Sequence, residues 1–499
     1  WMNDTESKNS YGHVLKYTGI FGGVQGLNIL IGLVRNKLVA LILGPAGMGL
    51  ASLFNSLANF VSQATGLGIS FGAVRHLSEI FDRGDNERIL SFVKTVRAWS
   101  FMAALLGVAA CVAAAPLLNM MAFDGDDRSL EIMALAPAVA MTALAGGETA
   151  ILKGARRLRQ LAEIQVLMVV VSLALSVPVY WLMGFSGIIP VIVLLAAANL
   201  IVTLRFSLKA YPLQTAGAAA ALKDGSGMIR LGMAFVMSGV FGSGAEMAVR
   251  SFLNTCADLD TVGLYNAGYM ITVTYAGMVF SAMESDYFPR LSAVNHDTAA
   301  VNLTVNRQIE VSLLVIAPML VFVITALPLL IPLLFSGKFA PVVPMAQVAI
   351  LSMYARATML PVAYITLAKG HSRAYLVIEG ISAAALVALM AACFSRWGLV
   401  GAGVAVLLSN VLDLAVILVY ARLRYGFRLS RQVLTYAAAH VPIGIAAYAA
   451  TFAHEAWLGI TLGLLATAAS TVLTARTLYK KTEIWNKIKT KLKNKKNGM

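Results

Sequence analysis

The chain has 499 residues, 59% hydrophobic and 13% charged, with a mean hydropathy of +0.77; this balance excludes a soluble globular protein and leaves no room for a separate soluble domain. The formal charge of +15 lies mostly in short loops and one tail, where membrane topology accounts for it, so no nucleic-acid partner is expected. Cys111, Cys256 and Cys393 are far apart in apolar segments without a CxxC; they read as packing residues, and neither a disulfide framework, a metal nor a cofactor is expected.

The polar start WMNDTESKNSYGHVLKY leads straight into the first long apolar run, so no cleavable signal peptide is expected. Trp1, ahead of Met2, reads as a residue foreign to the natural chain. Apolar runs between charged or Gly/Pro breaks then follow at 14–43, 47–70, 96–118, 130–152, 161–183, 187–206, 228–257, 262–285, 309–335, 342–368, 374–394, 398–420, 433–453 and 456–475. Each is long enough to cross ~30 Å of hydrocarbon as a helix. The expected fold is an all-α integral membrane protein of about 14 transmembrane helices, here numbered as spans 1–14.

Alternate connections hold nearly all the Lys and Arg: 75–97, 153–160, 205–230, 369–375, 421–432 and the tail after 476. The opposite set carries only Arg128, Lys338 and Arg396. By the positive-inside rule both termini are cytoplasmic. In the tail, Ile484, Trp485, Ile488 and Leu492 recur at helical spacing among lysines, which suits either an amphipathic helix on the anionic inner leaflet or a solvated basic tail.

An internal repeat runs through the first twelve spans. Val34-Arg35 matches Val249-Arg250, Gly49-Leu50 matches Gly263-Leu264, and Arg75 matches Arg290. Lys153-Gly154 matches Lys369-Gly370, Arg157 matches Arg373, Glu163 matches Glu379, and Gly184 and Gly187 match Gly398 and Gly401, all at an offset of 214 to 216. The expected organisation is a cytoplasmic N-terminus (1–13), an N-lobe of spans 1–6 (14–210), a cytoplasmic linker (211–227), a C-lobe of spans 7–12 (228–425), spans 13–14 (433–475) and a basic cytoplasmic tail (476–499). An even number of spans per repeat inserts both lobes the same way up, related by a pseudo-twofold axis along the membrane normal, which is the parallel-repeat arrangement of transporters with the substrate path between the lobes.

Charges inside the spans need a reason. A lipid-exposed cation at mid-bilayer costs at least ~2.5–3.5 kcal/mol, so Arg35, Lys37 and Arg250 should face a wet cavity or a partner. Arg35 and Arg250 lie about nine and eight residues before the outer ends of spans 1 and 7, or ~12–13 Å deep at ~1.5 Å per residue. Lys37 sits ~200° around the helix from Arg35 at ~100° per residue. Around them run polar faces at helical spacing: Gln25, Asn28, Gly32 and Arg35 on span 1; Ser52, Asn55, Ser56, Asn59, Ser62 and Gln63 on span 2; Ser243, Glu246, Arg250 and Asn254 on span 7; and, less regularly, Asn266, Tyr269, Thr274, Ser281 and Glu284 on span 8. Together these can line a water-filled cavity. Arginines suit a phosphate or pyrophosphate through charge-assisted, often bidentate contacts, and the amides and hydroxyls suit a sugar.

The expected anion-binding residues are therefore Arg35, Arg250 and Lys37, with Gln25, Asn28, Asn55, Asn59, Gln63, Asn254 and Tyr269 lining the cavity. Glu246 and Arg250 form an i,i+4 pair that either neutralises itself or gates the path. Arg356 on span 10, which has only Ala140 as its repeat counterpart, is expected to hold a structural pair with Asp413. Arg75, His76 and Arg290 sit at the cytoplasmic ends of spans 2 and 8, where topological anchoring and first contact with an anionic headgroup are both open. No catalytic constellation appears: the histidines are scattered and no phosphate-binding glycine loop is present, so no enzyme is expected.

LVALILGPAGMGLASLFNSLANFVSQATGLGISFGAVRHLSE (38–79) and LFSGKFAPVVPMAQVAILSMYARATMLPVAYITLAKGHSRAYLVIEG (334–380) resemble the bacterial O-antigen and enterobacterial-common-antigen flippases, polysaccharide transporters of the multidrug/oligosaccharidyl-lipid/polysaccharide (MOP) exporter superfamily. The resemblance covers roughly residues 14 to 425. It implies flipping of an undecaprenyl-pyrophosphate-linked oligosaccharide from the cytoplasmic to the periplasmic leaflet of the bacterial inner membrane, by alternating access through a cationic cavity between two lobes. It also implies membrane lipids as partners, with a glycan polymerase and a chain-length regulator as further ones. The extra helices after 432 are similar to those of the lipid II flippases. A lipid II flippase, a multidrug exporter of the same superfamily, and a membrane scaffold or polymerase of glycan assembly are the alternatives.

Overall fold

About 20 helical residues cross the hydrocarbon layer, so a helix of 54 residues, ~81 Å if straight, must turn within or beside the membrane. In the computed structural model such turns fall on glycines. The backbone is described for residues 4–82, 84–123, 126–213, 225–453 and 455–481, and side chains for these except at 4–29, 82, 226–227, 230–231, 234–235, 281–286, 289, 456 and 480–481. The expectations for Gln25, Asn28, Ser281, Glu284, most of the linker and the tail residues Ile484, Trp485, Ile488 and Leu492 lie outside these.

Spans 1 and 2 lie on one helical stretch, Asp4–Thr65, kinked at Gly44 (φ 66°). Spans 5 and 6 are Leu158–Met183 and Ile188–Ala210 about the turn Gly184–Gly187. Spans 11 and 12 lie on Ser372–Tyr425, kinked at Gly398 (φ 54°). Span 3 is Asn86–Ala122; span 4 is Ser129–Met133 with Ala136–Gly154; span 7 is Ser226–Cys256. Span 8 runs Leu259–Tyr269, a π-helical Met270–Tyr275, and Ala276–Ala293. Span 9 is Thr298–Leu334, and span 10 is Val343–Ala349 with Ser352–Ala368. Spans 13 and 14 are Arg431–Ala450 and Ala456–Lys481. All fourteen expected spans fall on helices, and among the described residues there is no strand. Eight stretches pass as membrane-spanning by length and hydropathy, or nine with the pair Gly337–Ala349 and Ser352–Ala368, bent by 49°; three of the eight carry two spans each.

The repeat is visible in the backbone. Gly184 (φ 57°, ψ −129°) and Gly398 (φ 54°, ψ −138°), matched in sequence, adopt the same left-handed conformation, which a Cβ makes costly. Three residues on, a Cβ on Gly187 would meet the Val179 carbonyl, and one on Gly401 the Cys393 carbonyl; these partners are themselves matched at 214. At the outer ends of spans 2 and 8 the symmetry is reciprocal. A Cβ on Gly49 would collide with the Leu259 carbonyl, and one on Gly263 with the Pro45 carbonyl. Position 49 corresponds to 263 and 45 to 259, so this is a self-complementary contact of the kind that sits on a twofold axis.

The connection after span 2 departs from expectation. Leu67 (φ 51°) and Gly68 (φ 70°) break the helix, and a further helix, Ile69–Asp82, follows where a loop was expected. It is amphipathic: Ile69, Ala73 and Leu77, four residues apart, are buried with Val93 and Val96 of span 3 and Ile151 of span 4, while Arg75 and Glu79 are exposed. Span 3 starts at Asn86 rather than 96 because Asp85 caps it, its carboxylate accepting the Arg88 amide at 3.1 Å.

The chain divides into two compact units: Trp1–Ala267 with Pro332–Phe339 and Glu379–Val387, and Gly268–Ile331 with Ala340–Ile378 and Ala388–Met499. The first unit takes in span 7 and the outer start of span 8, so compactness does not follow the repeat boundary. In the second unit, spans 13 and 14 are tied to span 9. Asn302 Oδ1 accepts the Arg428 amide at 2.9 Å and Asn306 Oδ1 the Ser430 amide at 2.7 Å. The Thr474 hydroxyl donates to the Leu314 carbonyl at 3.1 Å.

Candidate functional site

On span 2 five of the six polar residues separate into two sets, and the sixth, Ser62, is half-buried. The hydroxyls of Ser52 and Ser56 donate to the Gly49 and Leu53 carbonyls of their own helix, at 3.0 and 2.8 Å, the usual fate of a serine in a span. Asn55, Asn59 and Gln63, four residues apart, are exposed and form one row along the helix. The Asn55 amide donates to the Ala51 carbonyl at 2.7 Å, and a Cβ on Gly239 of span 7 would meet the Gln63 amide nitrogen at 3.1 Å. Lipid-facing positions look different: Leu30, Val34 and Leu41 on span 1 and Phe101, Leu105 and Val112 on span 3 are exposed. Exposed amides in hydrocarbon cost several kcal/mol, which sets this row apart from a lipid-facing surface.

Arg35, nine residues before the Gly44 kink and so ~13 Å from it, donates from Nε to the Ser176 hydroxyl of span 5 at 3.1 Å. Ser176 is fully buried, and its hydroxyl donates to the Ser172 carbonyl at 2.6 Å. Lys37 takes a different direction, as its ~200° offset dictates: its ammonium donates to the Pro332 carbonyl at 2.8 Å. Pro332 belongs to the same compact unit.

Arg250 lies six residues before the end of span 7 at Cys256, ~9 Å at ~1.5 Å per residue and shallower than the sequence spacing suggested. Its Nη1 pairs with Glu246 Oε2 at 3.2 Å, the side chains being 8% and 46% exposed. The Nη2 donates to Asn266 Oδ1 of span 8 at 3.3 Å. A half-exposed carboxylate makes a weak ion pair. Asn254, expected on the cavity wall, instead donates to the Ala122 carbonyl of span 3 at 2.8 Å and lines an outer pocket of about 370 Å³ with Asp126, Arg128, Asp258 and Asp260.

Tyr269 is half-buried at the entry to the π-helical stretch of span 8, a distortion that recurs at functional sites. At the ends expected to be cytoplasmic, Arg75 pairs with Glu79 at 3.2 Å with both side chains exposed, His76 stacks on Phe92 with ring centroids 5.8 Å apart, and Arg290 is exposed. Arg356 does not hold the expected pair with Asp413: its Nε is buried and has no hydrogen-bond acceptor.

Sequence reasoning missed one buried cluster. Arg97 of span 3 meets Glu148 of span 4 at 2.8 and 3.2 Å and the Tyr211 carbonyl at 2.9 Å, and the Ser207 hydroxyl of span 6 donates to the same carboxylate. The signal was Glu148 itself, a carboxylate inside the apolar run ALAGGETAIL, where an ionisable residue requires a partner. Among the described residues no group of three His, Cys, Asp or Glu could hold a metal ion.

Solved structures share this architecture at low identity. A lipid II flippase MurJ in an inward closed conformation superposes with TM-score 0.67 at 14% identity, covering 92% of this chain and 99% of its own. An inward-facing multidrug resistance MATE family transporter of the MOP superfamily gives 0.64 at 14% identity, covering 80% and 94%. A MOP superfamily transporter from Pyrococcus furiosus, noted for the reverse polarity of its binding pocket, gives 0.54 at 14%, covering 82% and 94%. No curated protein sequence matches the chain. The fold is that of the MOP transporters, carried by a multi-pass membrane protein. Residues 38–344 match the polysaccharide biosynthesis protein family, and the chain belongs to it.

Proposed function

We propose that the protein is a flippase that moves an undecaprenyl-pyrophosphate-linked oligosaccharide, such as an O-antigen, enterobacterial common antigen or exopolysaccharide repeat unit, from the cytoplasmic to the periplasmic leaflet of the bacterial inner membrane by alternating access. Both termini are cytoplasmic in this reading. The observation that carries it is the exposed row Asn55, Asn59 and Gln63 in a chain of this family. Carboxamides both donate and accept, which suits sugar hydroxyls.

The pyrophosphate pairs with Arg35 and Arg250. A dianionic group offers more charge than one wet carboxylate and displaces Glu246 from Arg250; the return of Glu246 releases it. Lys37, held by a carbonyl of span 9, contributes charge at longer range. The polyprenyl tail stays in lipid throughout. A lipid II flippase is the second reading, favoured by the 92% of this chain that the MurJ structure covers against 80% for the MATE transporter.

Complementation tests both. The chain is expressed in bacteria lacking a polysaccharide flippase and, separately, in bacteria depleted of the lipid II flippase, with surface glycan and accumulated lipid-linked precursor measured. Rescue of only the first is expected. There, Arg35→Ala and Arg250→Ala at normal membrane levels should trap precursor, each reducing export about tenfold or more, and Arg35→Lys should fail because it loses the planar fork. Normal export by both alanine variants would make the arginines structural, and rescue of only the second strain would replace the substrate.

A further inference from the structure

Span 10 is a core helix of the second unit with one open edge. Between Ser352 and Leu367, every residue is buried except Arg356, Met359, Leu360, Ala363, Tyr364 and Leu367, which recur at three to four residues and therefore form one stripe. Arg356 heads it, twelve residues before Ala368, where the helix ends, or ~18 Å in from that end. Its Nε is buried without an acceptor, and among the described residues the guanidinium has no ion pair. One turn earlier on the same face, the fully buried Ser352 hydroxyl also lacks a partner. One to two turns later, Leu360 and Tyr364 border a cavity of about 10 Å³ whose wall includes Gln308 and Ser312 of span 9, the size and polarity to hold one water.

Two orphaned donors one turn apart are a cost that folding alone does not recover. An uncompensated guanidinium within a span is destabilising by at least ~2.5 kcal/mol, and an unsatisfied buried hydroxyl adds ~1–3 kcal/mol. A structural arginine would be matched, as Arg97 is by Glu148. The stripe is half-buried, the Arg356 guanidinium can only donate, and the Ser352 hydroxyl one turn away can donate beside it, a pairing that suits an anion.

We infer that Arg356, assisted by Ser352, is a phosphate-binding residue of the second unit, recognising the pyrophosphate of a polyprenyl-linked substrate; this rests on the flippase reading above.

The test uses the full-length protein in nanodiscs, with binding of undecaprenyl pyrophosphate and of undecaprenol followed by native mass spectrometry and the ligand-free Tm measured in parallel. Arg356→Ala should weaken undecaprenyl pyrophosphate binding about tenfold, leave undecaprenol binding unchanged, and leave the ligand-free Tm equal or higher because no partner is lost. Arg356→Lys should recover part of the affinity. A lowered ligand-free Tm with wild-type affinity for undecaprenyl pyrophosphate would make Arg356 structural and overturn the inference alone. Wild-type protein that binds the pyrophosphate no better than undecaprenol would overturn the flippase reading, and this inference with it.

Discussion

Among the intramembrane charges, partner choice separates residues that hold the protein together from those proposed above to meet a ligand. Arg97 and Glu148 are 14% and 6% exposed and meet in a bidentate pair, with the Tyr211 carbonyl and Ser207 hydroxyl closing the network. Removing one member leaves the other charged and poorly solvated. Glu148→Gln should therefore lower stability by about 2 kcal/mol, read as a fall in Tm in detergent, while Glu163→Gln, whose pair with Arg159 is exposed at 45% and 87%, should change it by less than about 0.5 kcal/mol. Equal effects would show that the Arg97 pair is no more than a surface contact. Arg250 differs because its carboxylate partner is half in water, and Arg356 because it has no acceptor.

At the scale of elements, glycine decides how closely helices meet. The outer ends of spans 2 and 8 touch through Gly49 and Gly263, each facing a backbone carbonyl of the other segment. Backbone cannot rotate aside as a side chain can, so Gly49→Ala and Gly263→Ala should each cost about 2–3 kcal/mol by overpacking and reduce glycan export by separating the two segments. Gly277→Ala on span 8, where a Cβ meets nothing within 4 Å, is the control and should change stability, read from Tm, by no more than about 1 kcal/mol. A Gly49→Ala protein as stable and active as this control would remove the contact from the mechanism. The π-helical Met270–Tyr275 and the break at Leu67 and Gly68 are the other irregularities of these spans, and both flank polar residues.

For the molecule as a whole, the expected orientation rests on the distribution of charge. With Cys111, Cys256 and Cys393 replaced by alanine, single cysteines at Arg157 and Arg373, both exposed, should be labelled only from the cytoplasm. Cysteines at Ser186 and Arg396, also exposed, should react with an impermeant maleimide added outside. Labelling on the reverse faces would invert the topology and the proposed direction of transport. The repeat supports this layout, since Gly184 and Gly398 turn their helices with the same backbone angles, as two copies inserted the same way up require.

Span number and the repeat were legible in the sequence because a bilayer imposes a local rule, an apolar length for each crossing, and the arginines stood out as candidates because an internal charge needs a reason. Gly49 and Gly263, matched in the repeat, approach each other closely in the fold. Partner choice was not legible, because it depends on helix rotation and on neighbours far away in the chain. Arg35 reaches Ser176, 141 residues on, and Lys37 reaches Pro332, 295 residues on. Asn254 left the expected polar stripe for the Ala122 carbonyl, and the stripe of span 2 divided into serines bonded to their own helix and amides left exposed. The sequence by itself determined that this chain crosses a membrane many times as a doubled helical unit. Only the tertiary structure decided which partner each buried charge finds within the protein, since that is a property of packed pairs and not of any one helix.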